Sequence, residues 1–399
     1  MQLTTKNERD LRLGLLKKTG QLTVEQSSNT ISLYDIMPKY CRAKCEEKVV
    51  LKDVDSKRIY KISIGGCRYV ICVHAAKIET DEGIEYHFPS TEEELIEDVL
   101  RHTLVNNRQK SLFDDSIGVT FSIFKIREQM EKHGKNRNNK QIRHSLDVLK
   151  KARVEVFLAQ TFKNGKGDPI FQGAFFNDAT VIDRNDYFNR KSKDSVHGLV
   201  KFHNMISTQV MEIEFKLLRY DICMQYKSDM ARWLHKRISH MHTKLDKPYE
   251  IKLSTIYNDG NWKWHKDLSV NLRKFKAAIE QMRHAGMICA EKDVVINSEI
   301  ENGRKIDARL QINLSEGFIK HIKMANTIQQ LNKYHINEAG KASNELNDSV
   351  DINCRLLIDE GLSVKAAVKL GNEFTEDEIK SAILWVKSDI EDRGDVIRN

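Results

Sequence analysis

The chain has 399 residues, 40% apolar and 31% charged, with a net charge of +8. That length suits two or three domains, each with a proper core. The N-terminus, "MQLTTKNERDLRLGLLKK", lacks an apolar stretch long enough for a signal peptide or a spanning helix. Seven Cys without a CxxC pair read as ordinary thiols of a reducing cytosol.

The charge is unevenly placed. Residues 344–399 hold 7 Lys/Arg against 13 Asp/Glu, whereas residues 1–343 hold 58 against 44. A basic body with an acidic tail is the asymmetry expected when most of the chain faces a polyanion.

In chain order, "NERDLRLGLLKK" predicts a helix. "RIYKISIGGCRYVICVHAAKIETDEGIEYHF" alternates with period two around Gly65-Gly66 and predicts antiparallel strands. "PSTEEELIEDVLRHTLVNN" starts a helix, with Ser90 or Thr91 as cap and Glu93 or Glu94 three residues on. A strand and helix follow in "GVTFSIFKIREQMEKHG". Next comes the basic helix "KNRNNKQIRHSLDVLKK", and then "ARVEVFLAQTFKNGKGDPIFQGAFFNDATVI", two strands around a Gly-rich turn. Helix, helix and hairpin are the grammar of a winged helix.

The grammar recurs about 132 residues later. "SDMARWLHKRISHMHTKL" leads into "YEIKLSTIYNDG", then the basic helix "HKDLSVNLRKFKAAIEQMRHAG", then a hairpin around Asn302-Gly303. Ser122 matches Ser254, while Ile142, Leu146, Leu149 and Val154 match Phe275, Ile279, Met282 and Met287 at an offset of 133. Strand, helices and hairpin in one register indicate a duplication. The fold class is therefore α+β: tandem winged-helix domains at 90–190 and 200–325, an N-terminal α+β extension at 1–89, and a small helical C-terminal tail at 344–399.

At 100° per residue, Ile142, Leu146 and Leu149 share one face of the first basic helix, with Lys140, His144, Asp147 and Lys151 opposite. In the second, Leu268, Leu272, Phe275, Ile279 and Met282 form a narrow stripe. Lys266, Arg273 and His284 face away from it, flanked by Lys274 and Lys276. Such a face is either solvated charge or a surface for a polyanion. Residues 131–153 carry 8 Lys/Arg against 2 Asp/Glu and residues 262–284 carry 6 against 2, whereas merely solvated faces mix both signs. The bias occurs twice at matching places, which favours the polyanion. Asn138, Asn139, Gln141 and Arg143 are side chains able to pair with base edges. Lys163 and Lys166 in the first hairpin, and Arg304 and Lys305 in the second, add positive charge.

No catalytic constellation emerges. His240 and His242 lie in helical context, about 200° apart, and read as helix-surface or phosphate-contacting residues rather than as the metal pair of a nuclease. Cys41 and Cys45 lack a second pair. "NGKGD" at 164–168 lacks the Ser/Thr of a phosphate-binding loop. Asp114-Asp115 lacks a partner cluster. At least one of Trp262 and Trp264 belongs in a core, and Lys263 between them suits a phosphate or sugar. No cofactor or metal is expected.

"LSVNLRKFKAAIEQMRHAGMI", 268–288, resembles the basic-aromatic helix leading into a wing in the iteron-binding replication initiators of plasmids, the Rep family of RepA, RepE and π type. "MARWLHKRISHMH" resembles the helix that opens that family's second winged helix, and residues 344–399 resemble the small helical tail of some members. The resemblance covers about 90–325. It implies a non-enzymatic protein that binds repeated duplex sites (iterons) at an origin, opens it, and recruits the host initiator and replicative helicase. It also implies monomer and dimer forms and a bacterial cytoplasmic location. By position, Lys266, Asn271, Arg273, Lys274 and Lys276 would touch bases or phosphates, with Lys140, Gln141, Arg143 and His144 doing so in the first unit. The small members lack residues 1–89, which leaves open which domain dimerises. A transcriptional repressor with the same modules is an alternative. A metal-dependent nicking enzyme with Tyr226 or Tyr257 as nucleophile is another.

Overall fold

The computed structural model describes residues 27–42, 48–49, 57–81, 83–106, 110–113, 116–163, 165–181, 198–212, 214–292, 294–301, 304–327 and 329–330. The predicted helix near residue 10, the pair Asp114-Asp115, the turn at Asn302-Gly303 and the tail 344–399 lie outside them. All elements below belong to one compact unit, Leu16–Gln329. Among the described residues no helix is long and apolar enough to cross a membrane.

The first part of the chain supplies β1 (Ser27–Ile31), α1 (Ser32–Ile36), β2 (Lys48–Val49), β3 (Lys57–Ile64), β4 (Cys67–His74), β5 (Ala76–Thr80) and β6 (Gly83–His87). Gly65 and Gly66, with φ of 59° and 81°, form the two-residue turn between β3 and β4. Two successive positive φ values suit the right-handed twist of a hairpin and are cheap only for such residues. Next come α2 (Thr91–Asn106), β7 (Lys110–Phe113), β8 (Ser116–Phe121), α3 (Ile123–Lys132), α4 (Asn139–Lys151), β9 (Arg153–Leu158), β10 (Phe171–Ala174) and β11 (Phe176–Val181). Ser90 starts α2 as its spacing predicts: its hydroxyl accepts from the Glu92 amide, and Glu93 accepts from the Ser90 amide. The rest is β12 (Gly198–Phe202), α5 (Asn204–Met211), β13 (Phe215–Arg219), α6 (Tyr220–Gln225), α7 (Asp229–Met241), β14 (Tyr249–Lys252), α8 (Leu253–Asp259), α9 (Leu268–His284), β15 (Val295–Glu301) and β16 (Arg304–Ile312), closed by a helix over 316–327.

The second module has α8 and α9 packed on a three-stranded antiparallel sheet of order β14-β16-β15. Helix, helix and wing are thus present as the sequence predicts. The first module is more elaborate. Its wing strands β9 and β10 sit in a four-stranded sheet of order β10-β9-β4-β3, and β8 joins β11 only through β12, in the order β11-β12-β8-β7. This corrects the picture of residues 1–89 as a separate extension: β4 pairs with β9 along Tyr69↔Leu158 to His74↔Arg153. β1 likewise pairs with β13 in the later half of the chain. Each of these strands had an edge to satisfy, and the partner was distant in sequence.

The repeat is visible in burial. Ile142, Ser145, Leu146 and Leu149 of α4 are buried, as are Phe275, Ala278, Ile279 and Met282 of α9, at the same offset of 133. Two helices that are not counterparts in the repeat, α3 and α9, also end alike. After α3 the Gly134 amide donates to the Glu131 carbonyl and the Lys135 amide to Met130. After α9, Gly286 donates to Arg283 and Met287 to Met282. Both glycines have φ near 70°, the left-handed cap that stops a helix cleanly.

α7 is the central post. Trp233 donates from its indole nitrogen to the Ile36 carbonyl at 3.0 Å. Lys236 bonds Asp98 at 2.7 Å and lies 3.6 Å from Glu94, while Arg237 bonds Asp259 of α8 at 2.7 Å. Arg42 forms an ion pair with Glu94, and Arg101 reaches Asp35 at 3.0 Å and the Asn29 side chain at 2.8 Å. Burial alone would raise the Asp35 and Glu94 carboxyls, yet the surrounding Arg and Lys hold both well below the usual carboxylate range.

Candidate nucleic-acid interface

The two basic helices begin differently, and this decides which polar side chains are free. Asn138 caps α4: its side chain accepts from the Gln141 amide at 2.9 Å, and the Gln141 side chain accepts from the Asn138 amide at 2.9 Å. Two of the four side chains expected at base edges, Asn138 and Gln141, are thereby committed to a capping box, which satisfies two amides that a helix start leaves open. α9 starts a turn earlier in the repeat register, capped by Asp267, so Asn271 falls inside the helix. It is 1% exposed; its oxygen accepts from the His265 amide at 3.0 Å and its nitrogen donates to the His265 carbonyl at 2.7 Å. Asn271 therefore clasps the turn before α9, and the expectation that it touches DNA is corrected.

The remaining cations stay outside. On α9 and the turn before it, Lys263, Lys266, Arg273, Lys274 and Lys276 are exposed, as are Arg304 and Lys305 on the wing. Lys274 lies 5.5 Å from the Trp262 ring centroid, and partial burial lowers its ammonium pKa. On α4, Asn139, Lys140, His144 and Lys151 are exposed and Arg143 is half-buried. The hairpin β5–β6, with Glu79, Asp81 and Glu85, packs beside α4. Its His87 meets His144 edge-on at 4.9 Å between ring centroids. Partial burial first, and the nearby His87 second, push the His144 pKa down. The positive field of α4 is thus partly offset by acidic neighbours. Lys163 and Lys166 close the tight turn between β9 and β10, each amide donating to the other's carbonyl.

Other expectations move. His240 and His242 are 8% and 4% exposed, so neither is a helix-surface or phosphate-contacting residue. Burial lowers the His240 pKa to about 4. Trp262 is buried, its indole nitrogen donating to Asp229 at 3.0 Å, while Trp264 is 37% exposed. Tyr226 and Tyr257 are 2% and 3% exposed. Burial raises both phenols, that of Tyr257 to about 12, and its hydroxyl donates to the Asn271 carbonyl at 3.0 Å. A buried phenol with a raised pKa is badly placed to attack a phosphodiester. The sequence reading missed the ties that hold the second helix pair from behind: Asn261 donates to the Tyr40 carbonyl at 2.9 Å and Asn258 to that of Lys61 at 3.1 Å. No local pattern marks such a partner, some 200 residues away.

Fold and surface together define a tandem helix-turn-helix protein whose second module has a wing and an exposed cationic helix. No protein-family model matches the chain, and no curated protein matches it. Among solved structures it is similar to domains 2 and 3 of RctB, at 13% identity over 66% of this chain and 92% of that one, with a TM-score of 0.39. Another structure of RctB domains 2–3 gives 12% identity over 70% and 96%, with a TM-score of 0.38. The Pi initiator protein in complex with iteron DNA gives 13% identity over 56% and 91%, with a TM-score of 0.36.

Proposed function

We propose that this is a non-enzymatic, cytoplasmic DNA-binding protein that initiates replication at repeated duplex sites. The observation that carries the proposal is the repeated helix–helix–hairpin unit whose second basic helix keeps a buried apolar stripe and an outer face of Arg273, Lys274 and Lys276, with Lys266 in the turn before it. In this reading the units at 90–190 and 200–325 each lay a basic helix in a major groove. α9 is the main reader, with Lys263, Arg304 and Lys305 on phosphates. α4 assists through Asn139, Lys140, Arg143, His144 and Lys151. One monomer then covers two helical turns, about 20 base pairs. Binding at arrayed repeats strains adjacent A·T-rich duplex and brings in the host initiator and helicase. Monomer and dimer forms share the work.

The test is binding to direct repeats of about 20 base pairs across a salt series. Arg273→Ala with Lys276→Ala should weaken duplex binding and flatten the log–log salt slope by about 0.9 per lost phosphate contact, with the fold intact. Asn271→Ala should instead lower stability by about 1–3 kcal/mol, since two backbone groups lose their partner. Unchanged affinity and slope in the double variant would remove α9 from the interface. Melting of an A·T-rich segment beside the repeats separates an initiator from a repressor.

A further inference from the structure

A cavity of about 470 Å³ opens on the flank of α9, between that helix, α8 and the turn over 260–267. Its wall is aromatic: Trp264 stands edge to face with Tyr257, ring centroids 5.2 Å apart and planes at 87°. Val270 supplies an aliphatic floor, and Lys263, Arg273 and Lys274 rim the opening. The indole of Trp264 is 37% exposed, although a side chain of that size is usually covered. The exposure is built in. Asn271 clasps both backbone groups of His265, and Trp262 is pinned to Asp229, so the two residues between those anchors, Lys263 and Trp264, are held outward. Nearby carboxylates are engaged: Asp267 accepts from the Ser269 amide and Asp229 from Trp262.

We propose that this groove takes one unstacked nucleobase of a DNA strand, stacked on Trp264, with its flanking phosphate on Lys263, Arg273 and Lys274. Three observations favour that occupant. The exposed ring offers a flat apolar platform, and every base has a π-face to stack on it regardless of sequence. The rim is cationic, which attracts a phosphate and repels a basic partner. The cavity lies within the range of about 300–1,000 Å³ typical of small-ligand pockets, enough for a nucleotide. Arg273 belongs to both the groove rim and the outer face of α9, so a strand leaving the duplex surface reaches the groove without crossing apolar ground. The second module would then hold a base that has left the stack, beside the duplex that it reads. This last point rests on α9 facing DNA; the groove itself does not.

The experiment uses the full 399-residue chain and three probes: a thymidine octanucleotide, thymidine 5′-monophosphate, and a random 30-base-pair duplex. The octanucleotide should bind and quench tryptophan fluorescence. Trp264→Ala should abolish the quenching and weaken octanucleotide binding by about ten-fold or more, the loss expected for one stacked base. Trp264→Phe, which keeps a ring and guards against a folding defect, should retain most of the affinity. Duplex binding should change less than three-fold in either variant. Arg273→Ala with Lys276→Ala on the duplex reports separately whether α9 faces DNA, so the two readings fail independently. Monophosphate bound in a Trp264-dependent way would also uphold the site, and the tighter of the two probes gives the natural source. Octanucleotide affinity and quenching that survive Trp264→Ala would overturn the proposal, as would equal displacement by a glutamate octapeptide.

Discussion

Buried histidines give this protein a chemistry at the scale of single residues that its surface does not advertise. His203, His235, His240 and His321 all lie at 8% exposure or less. Burial is the main cause that lowers each, to about 4, 3, 4 and 4 respectively; the positive charges of Lys39, Lys216 and Arg219 add to it. The unfolded chain takes up protons as pH falls through about 6.5, while the folded chain refuses them until about 4. Stability is therefore intact above about pH 6.5, declines toward pH 4, and loses up to about 2 kcal/mol per histidine by pH 5. Denaturant titrations at pH 7.5 and pH 5.0 check this, and equal midpoints would contradict it. At the same scale the Asn pair is instructive. Asn138 and Asn271 share a place in the repeat, yet one caps a helix and the other clasps a turn. A side chain that suits base edges also suits the nearest open backbone group, and the backbone group is closer.

At the scale of elements, helices were legible and sheet partners were not. The stripe of Ile142, Leu146 and Leu149 and its counterpart of Phe275, Ile279 and Met282 are buried as their spacing requires. Gly65-Gly66 marked its hairpin, and "HGK" and "HAGM" end their helices in the same left-handed cap. What period two cannot express is which strand lies alongside. β4 reads as a strand from residues 67–74, but its pairing with β9 spans 79 to 89 residues, from His74↔Arg153 to Tyr69↔Leu158, and nothing local encodes it. The consequence is testable. A chain starting at residue 90 would leave the β9 edge and β13 without partners, so it should aggregate or stay loosely packed. Size-exclusion chromatography and near-ultraviolet dichroism would show this, and a monodisperse, well-packed fragment would refute it.

For the whole molecule, the decisive feature is the buried ionic joint of Asp35, Lys39, Glu94, Asp98, Arg101, Arg232 and Lys236, all within 8% exposure. It ties α1 and α2 to α7, which in turn holds α8 through Arg237. Replacing Lys236 by Met should cost about 3–5 kcal/mol, because Asp98 would keep its buried charge without the ammonium that pairs with it, whereas Glu94 keeps Arg42. Equilibrium unfolding measures this; a loss below 1 kcal/mol would mean that the joint carries little. By itself the sequence determined the repeat, the amphipathic helices, the wings and the basic surface, because each follows from periodicity and charge within a few dozen residues. Only the tertiary structure decided three things: that residues 57–74 complete the first wing's sheet, that Asn271 and the two Tyr hydroxyls turn inward, and that Trp264 stays out. Those outcomes depend on which backbone edges and polar groups meet across long sequence separations, where an unsatisfied buried group costs more than any local preference is worth.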